Sequence, residues 1–166
     1  MYRKVYDFVA DFREESEVTG KFLAALTDAS LTQRVSPEGR SLGQIAWHIT
    51  LTLGEMLSHA QLPVVAVPTD ASPPTTVEEL LTAYRRAAQA VIAAVAEGWN
   101  DAMLAEEIRM YGESWPRGKV LSVLIRHEAH HRGQMTVLAR QAGVVIPGVY
   151  GPAREEWAAY GAPAPW

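Results

Sequence analysis

Arg126-His127-Glu128-Ala129-His130-His131-Arg132-Gly133-Gln134-Met135 is the stretch on which the reading of this chain turns, and it holds three of the five histidines. Apolar positions around it recur at helical spacing. Val120, Leu124, His127, His131, Met135 (or Gln134), Leu138 and Ala142 advance by threes and fours, so they share one stripe of a helix. Two imidazoles therefore stand where Leu or Val would ordinarily fill a core. Four residues apart, they differ by roughly 40° around the axis and about 6 Å along it. Both rings then reach one point beside the helix, which is what a metal ion requires of two ligands. Buried without partners, such rings would cost about 1–3 kcal/mol. Something must satisfy them.

Outward from this segment, the spacing predicts a helix over about 119–142, closed by Gly143 in the C′ position. Three more amphipathic segments precede it. The first covers about 2–27, with Val5, Phe8, Val9, Phe12, Thr19, Phe22, Leu23 and Leu26 inward and its Glu, Asp and Arg residues read as a solvated face. Ser41-Leu42-Gly43-Gln44 is a capping-box pattern that opens a second helix over about 41–60, and Thr76-Val77-Glu78-Glu79 opens a third over about 76–97. Between them, residues 61–75 carry Pro63, Pro68, Pro73 and Pro74 and break every helical pattern. A connector this long can cross a bundle from end to end and let the helices it joins run parallel. The stretch from Trp99 to Pro116 has no clear period, with Ile108 to Tyr111 read as extended. Residues 144–166 form a loop-rich tail in which Pro152 to Trp157 are expected to make one or two helical turns. Four amphipathic helices with one long crossover imply an all-α, single-domain four-helix bundle over 1–166.

Composition narrows the chemistry. The 166 residues are long enough to bury a core without crosslinks, and 48% hydrophobic with 20% charged content is that of an ordinary globular protein. There is no cysteine, so disulfides, thiolate metal ligands and a cysteine nucleophile are all excluded. A formal net charge of −4 with no basic cluster argues against nucleic acid. No run of about 18 apolar residues could span a bilayer, and no apolar segment follows Met1-Tyr2-Arg3-Lys4 to make a signal peptide. A cytoplasmic protein is the expectation.

Three readings of the histidines compete. In one, His48 of the second helix joins His127 and His131 in a three-histidine site, with coordination positions left open for water and substrate. His59 lies too far along the same helix to share that ion. In another, His127-Glu128-Ala129-His130-His131 is H-E-x-x-H, the metallohydrolase signature with Glu128 as general base. Its extended form fails, because Gln134 and Val137 stand where Gly and His are required, and only Glu155 or Glu156 offers a distant carboxylate ligand. In the third, the rings simply hydrogen-bond within the core and His130 is exposed.

Trp47-His48 in the second helix, followed by His127-Glu128-Ala129-His130-His131-Arg132-Gly133-Gln134, resembles the DinB/YfiT-like superfamily. The Pro-rich crossover and Gly148-Val149-Tyr150-Gly151-Pro152-Ala153-Arg154-Glu155-Glu156-Trp157 are similar to it as well. The resemblance implies an up-down-down-up bundle, often a homodimer, with one divalent metal on His48, His127 and His131; three imidazoles suit a transition metal such as zinc, nickel or iron. His130 has no ligand role in that pattern. It also implies enzymes that join or isomerise small-molecule substrates with a low-molecular-weight thiol such as bacillithiol, mycothiol or glutathione. A bound metal lowers a thiol's pKa, and a chain without cysteine would receive its sulfur from the cosubstrate. A thiol-dependent S-transferase or isomerase leads, ahead of non-catalytic metal or small-ligand binding and of an H-E-x-x-H metallohydrolase.

Glu55, Arg132 and Gln134 are the further candidates. Glu55 lies two turns from His48 on about the same face and is read as a general base or ligand partner. Arg132 would orient an anionic substrate or pair with a carboxylate. Gln134, three residues past His131, is placed to bond the far ring nitrogen of that ligand. Trp47, Tyr111 and Trp115 are core aromatics by default and otherwise pocket walls.

Overall fold

The computed structural model describes residues 1–64, 67–68 and 70–165. Residues 65, 66 and 69 of the crossover and residue 166 of the tail lie outside the described residues. Four long helices carry the fold: α1 (Val5–Ala24), α2 (Leu42–His59), α3 (Val77–Gly98) and α4 (Arg117–Gln141). Each buries an apolar stripe in one shared core, with Phe8, Phe12 and Phe22 from α1, Ile49, Leu53 and Leu57 from α2, Leu80, Val91 and Val95 from α3, and Val120, Leu124 and Leu138 from α4.

Helix ends follow local chemistry. Ser41 Oγ accepts from the Gln44 amide at 3.2 Å while Gln44 Oε1 accepts from the Ser41 amide at 2.9 Å, the reciprocal cap expected of that sequence. At Thr76 the cap is one-sided. Thr76 Oγ1 accepts from the Glu79 amide, but the Glu79 carboxylate takes the Thr76 hydroxyl at 2.9 Å rather than the backbone amide. The first helix ends short of residue 27 because Thr27 is extended and caps a 3-10 turn of its own, Asp28–Thr32.

Contacts at both ends set the helix directions. The Tyr2 amide donates to Gly118 O, while farther up α1 Thr19 donates to Glu128 and Arg132 donates to Glu15, so α1 and α4 run parallel. The Val77 amide donates to Asp28 Oδ1 at 2.7 Å, which holds the start of α3 beside the link that feeds α2. At the other end Gly98 sits against Leu62, just beyond α2. The crossover thus returns the chain to its starting end, α2 and α3 run parallel, and the bundle is up-down-down-up.

Between α3 and α4 the chain forms an antiparallel hairpin, β1 (Glu107–Met110) and β2 (Glu113–Pro116), pairing Ile108 with Trp115 and Met110 with Glu113. Only its first strand was expected from sequence. Its two-residue turn, Tyr111-Gly112, has φ of 49° and 89°, the left-handed pair that tight hairpins demand. Past α4, Arg154–Tyr160 is a 3-10 helix, the short helical piece expected near Pro152 to Trp157.

Candidate metal centre

His127 and His131 lie one turn apart on α4 and meet His48 from the neighbouring, antiparallel α2. His127 Nε2 is 3.2 Å from His48 Nε2 and 3.2 Å from His131 Nε2. One ligand atom from each of the three half-buried rings falls within 4.8 Å of the others. A metal with bonds of about 2.0–2.1 Å places neighbouring ligand nitrogens roughly 2.9–3.4 Å apart for angles between octahedral and tetrahedral. The two 3.2 Å spacings about His127 fall in that window.

Hydrogen bonding among the rings cannot account for this arrangement. Gln134 Oε1 lies 2.7 Å from His131 Nδ1, and an amide oxygen only accepts, so the proton of that ring sits on Nδ1 and its Nε2 carries a lone pair. His127 Nε2, contacted from both sides, holds at most one proton and can satisfy one neighbour only. At least one of the two 3.2 Å contacts is therefore left without a matched donor and acceptor. A cation could satisfy all three nitrogens, with Gln134 aiming one of them as an outer-shell partner would.

The electrostatics keep the rings neutral. Burial lowers His48 to about 4, helped by cationic Arg40 and by His131. His127 is likewise lowered to about 4, chiefly by burial and then by His131 and His48. Burial also lowers His131, against an opposing bond from Gln134. Neutral imidazole is the ligating form.

Of the two roles expected of Arg132, orienting an anionic substrate or pairing with a carboxylate, the structure shows the second, and the side chain does not face the histidines. It is 1% exposed on the opposite side of α4, where Nη2 meets Glu15 Oε2 at 2.6 Å and Nη1 donates to Thr19 Oγ1 at 2.8 Å, with Tyr150 as a further partner. An arginine enclosed by a carboxylate, a hydroxyl and a phenol is not free to orient substrate. Glu15 accordingly leaves the solvated face of α1 assigned to it. Glu128 is also buried, accepting from Thr19 at 2.6 Å and from Tyr84. Burial raises its pKa. Turned into the core about 100° from His127, it cannot serve as the base of an H-E-x-x-H site. Glu155 pairs with Arg140 at 3.0 Å and Glu156 accepts from the Gly148 and Ala153 amides, so neither supplies a ligand to that register.

Of the remaining candidates, Gln134 reaches the triad and Glu55 does not. Glu55 accepts from Tyr111 OH at 3.1 Å and lies 3.1 Å from His59 Nε2, joining the hairpin to the end of α2. Trp47 is buried, with its indole N–H on Ala71 O, yet its edge lines a cleft beside His48. Trp115 stacks under Lys119 on the hairpin. Arg40, which sequence reasoning passed over, stands close enough for its charge to depress all three histidines. Loop residues carry no periodicity, and nothing in the sequence marked it.

Residues 1–165 match the DinB family. The uncharacterized protein YrdA of Bacillus subtilis (strain 168) is 41% identical over 165 residues, 99% of each chain. A DinB-like protein from Bacillus cereus ATCC 10987 has a solved structure that superposes with a TM-score of 0.86 at 38% identity, covering 90% of this chain and 100% of that one. A second DinB-like structure, YjoA from Bacillus subtilis, shares the fold with a TM-score of 0.68 at 19% identity, covering 86% of this chain and 96% of that one.

Proposed function

The chain belongs to the DinB family, and for this member we propose that His48, His127 and His131 hold one divalent transition metal (zinc, nickel or iron) in a thiol-dependent transferase or isomerase. The observation that supports the reading is the convergence of three Nε2 atoms whose contacts hydrogen bonding among the rings cannot all satisfy. With no carboxylate among the ligands, the bound ion would keep most of its charge and supply the Lewis acidity that lowers a thiol's pKa.

The chain's own residues do the rest. Three imidazoles, kept neutral by burial, present lone pairs without first losing protons. Gln134 holds the His131 proton on Nδ1. Clefts reaching His48 on one side and His131 on the other admit the substrates. In the transfer, the thiol proton passes to water, sulfur bonds to the electrophilic carbon, and the leaving group departs with its electron pair. Sulfur must come from a cosubstrate, because the chain has no cysteine. A cytoplasmic setting and a homodimeric state belong to the same proposal; no helix among the described residues is long and apolar enough to cross a membrane.

The test is thioether formation from glutathione or bacillithiol and an aryl halide, followed by mass spectrometry. Product that depends on added metal and vanishes in His48→Ala supports the reading. Stoichiometric metal with no thioether from any thiol would leave a binding protein without turnover.

A further inference from the structure

Two clefts open beside the triad and share Gly39 and Arg40. One, of about 450 Å³, reaches His131 and is walled by Val35, Ile45, Val137 and Leu138. The other, of about 420 Å³, reaches His48 and is lined by Arg34, Glu38, Gln44 and Trp47 among others. Their chemistry differs. The first has aliphatic walls broken by Arg40, His131 and Gln134, and leaves Val35 72% and Val137 53% exposed, side chains that gain from being covered. The second carries two arginines against one carboxylate. Arg34 is occupied within its own loop, donating to Gly39 O. Arg40 enters no ion pair among the described residues. An unpaired guanidinium thus stands where an apolar cleft, a polar cleft and the three imidazoles come together.

We infer that Arg40 is the anion-binding residue of the substrate site, and that the site takes a small amphipathic carboxylate whose apolar body fills the cleft of Val35, Ile45, Val137 and Leu138. The planar fork of a guanidinium matches a carboxylate with two parallel hydrogen bonds. An anion there also offsets positive charge beside three neutral ligands. Aliphatic walls alone would accept any greasy molecule. Arg40 selects those with a negative end and sets that end beside the triad. This inference rests on the proposed metal site for its place in catalysis, but the binding it describes does not require the ion.

Octanoate and octanol, which share a chain and differ in charge, are the probes, titrated by calorimetry into the protein as purified and after chelator treatment. In both forms octanoate is expected to bind roughly tenfold more tightly than octanol. Arg40→Gln should bring the two probes within about twofold of each other while leaving metal content unchanged. Val137→Glu, a surface change, should weaken both. Equal affinity for the two probes in the unaltered protein, or an octanoate preference that survives in Arg40→Gln, overturns the inference. A preference present only with metal bound also overturns it, since the ion and not Arg40 would then be holding the carboxylate. An Arg40-dependent preference in protein that never carries metal upholds this inference and refutes the metal site. Stoichiometric metal without the preference does the reverse.

Discussion

Arg132→Met is the perturbation that best separates a structural arginine from a substrate-orienting one. The side chain is 1% exposed and its guanidinium bonds Glu15, Thr19 and Tyr150. Methionine fills much of the stem's volume, so the loss falls mainly on the charge-assisted bonds. Breaking a buried pair by removing one partner costs about 3–5 kcal/mol. The lower end applies here, because the Glu15 side chain is 19% exposed and can take water in place of its partner. Thr19 keeps its bond to Glu128. A loss of about 3 kcal/mol in a domain of this size lowers Tm by roughly 6–12 °C. Calorimetry gives Tm and elemental analysis gives metal per chain on the same sample. Arg132→Met with a Tm within about 2 °C of the unaltered protein, but with weakened substrate binding, would refute the buried-network reading and return Arg132 to the site.

Other outcomes follow from the same contacts. Gln134→Leu removes the acceptor on His131 Nδ1 and should weaken metal binding about 10–100-fold, read by competition with a chelating dye, with Tm of the metal-free protein unchanged. Tyr84→Phe takes one of two donors from buried Glu128, whose Oε2 already lacks a partner, and should cost about 1–3 kcal/mol by urea denaturation. In metal-free protein, His48 and His127, lowered to about 4, should remain neutral at pH 5.5 by imidazole NMR. Their folded values lie below the unfolded one, so the unfolded chain binds more protons. Their stability contribution is complete above about pH 6.5 and is lost as pH falls toward 4. Glu128, raised by burial, acts in the opposite sense as pH rises through and above the ordinary carboxylate range, so NMR is the cleaner measure.

Helical periodicity made the bundle legible, and proline density made the crossover legible. The spacing of His127 and His131 placed two rings over one point. His48 entered as one candidate third ligand, and the family resemblance rather than periodicity favoured it, since periodicity within one helix does not say which other helix it will face. The buried polar network escaped sequence reasoning for a physical reason: charged side chains default to water, yet Leu121, Leu124, Glu128, Arg132, Met135 and Ala139 form a buried stripe at steps of three and four. The matching stripe on α1 runs Phe8, Phe12, half-buried Glu15, Thr19 and Phe22. Two polar pairs at the same register on parallel helices were a signal that the pattern contained. The second hairpin strand left none, because Glu113 to Pro116 shows no alternation of apolar and polar residues and buries none of them fully.

Elemental analysis of freshly purified protein and four single variants decides whether the three histidines hold a metal. Close to one divalent metal per chain is expected, lost in His48→Ala, His127→Ala and His131→Ala and retained in His130→Ala. Metal retained in His48→Ala and lost in His130→Ala would contradict that expectation.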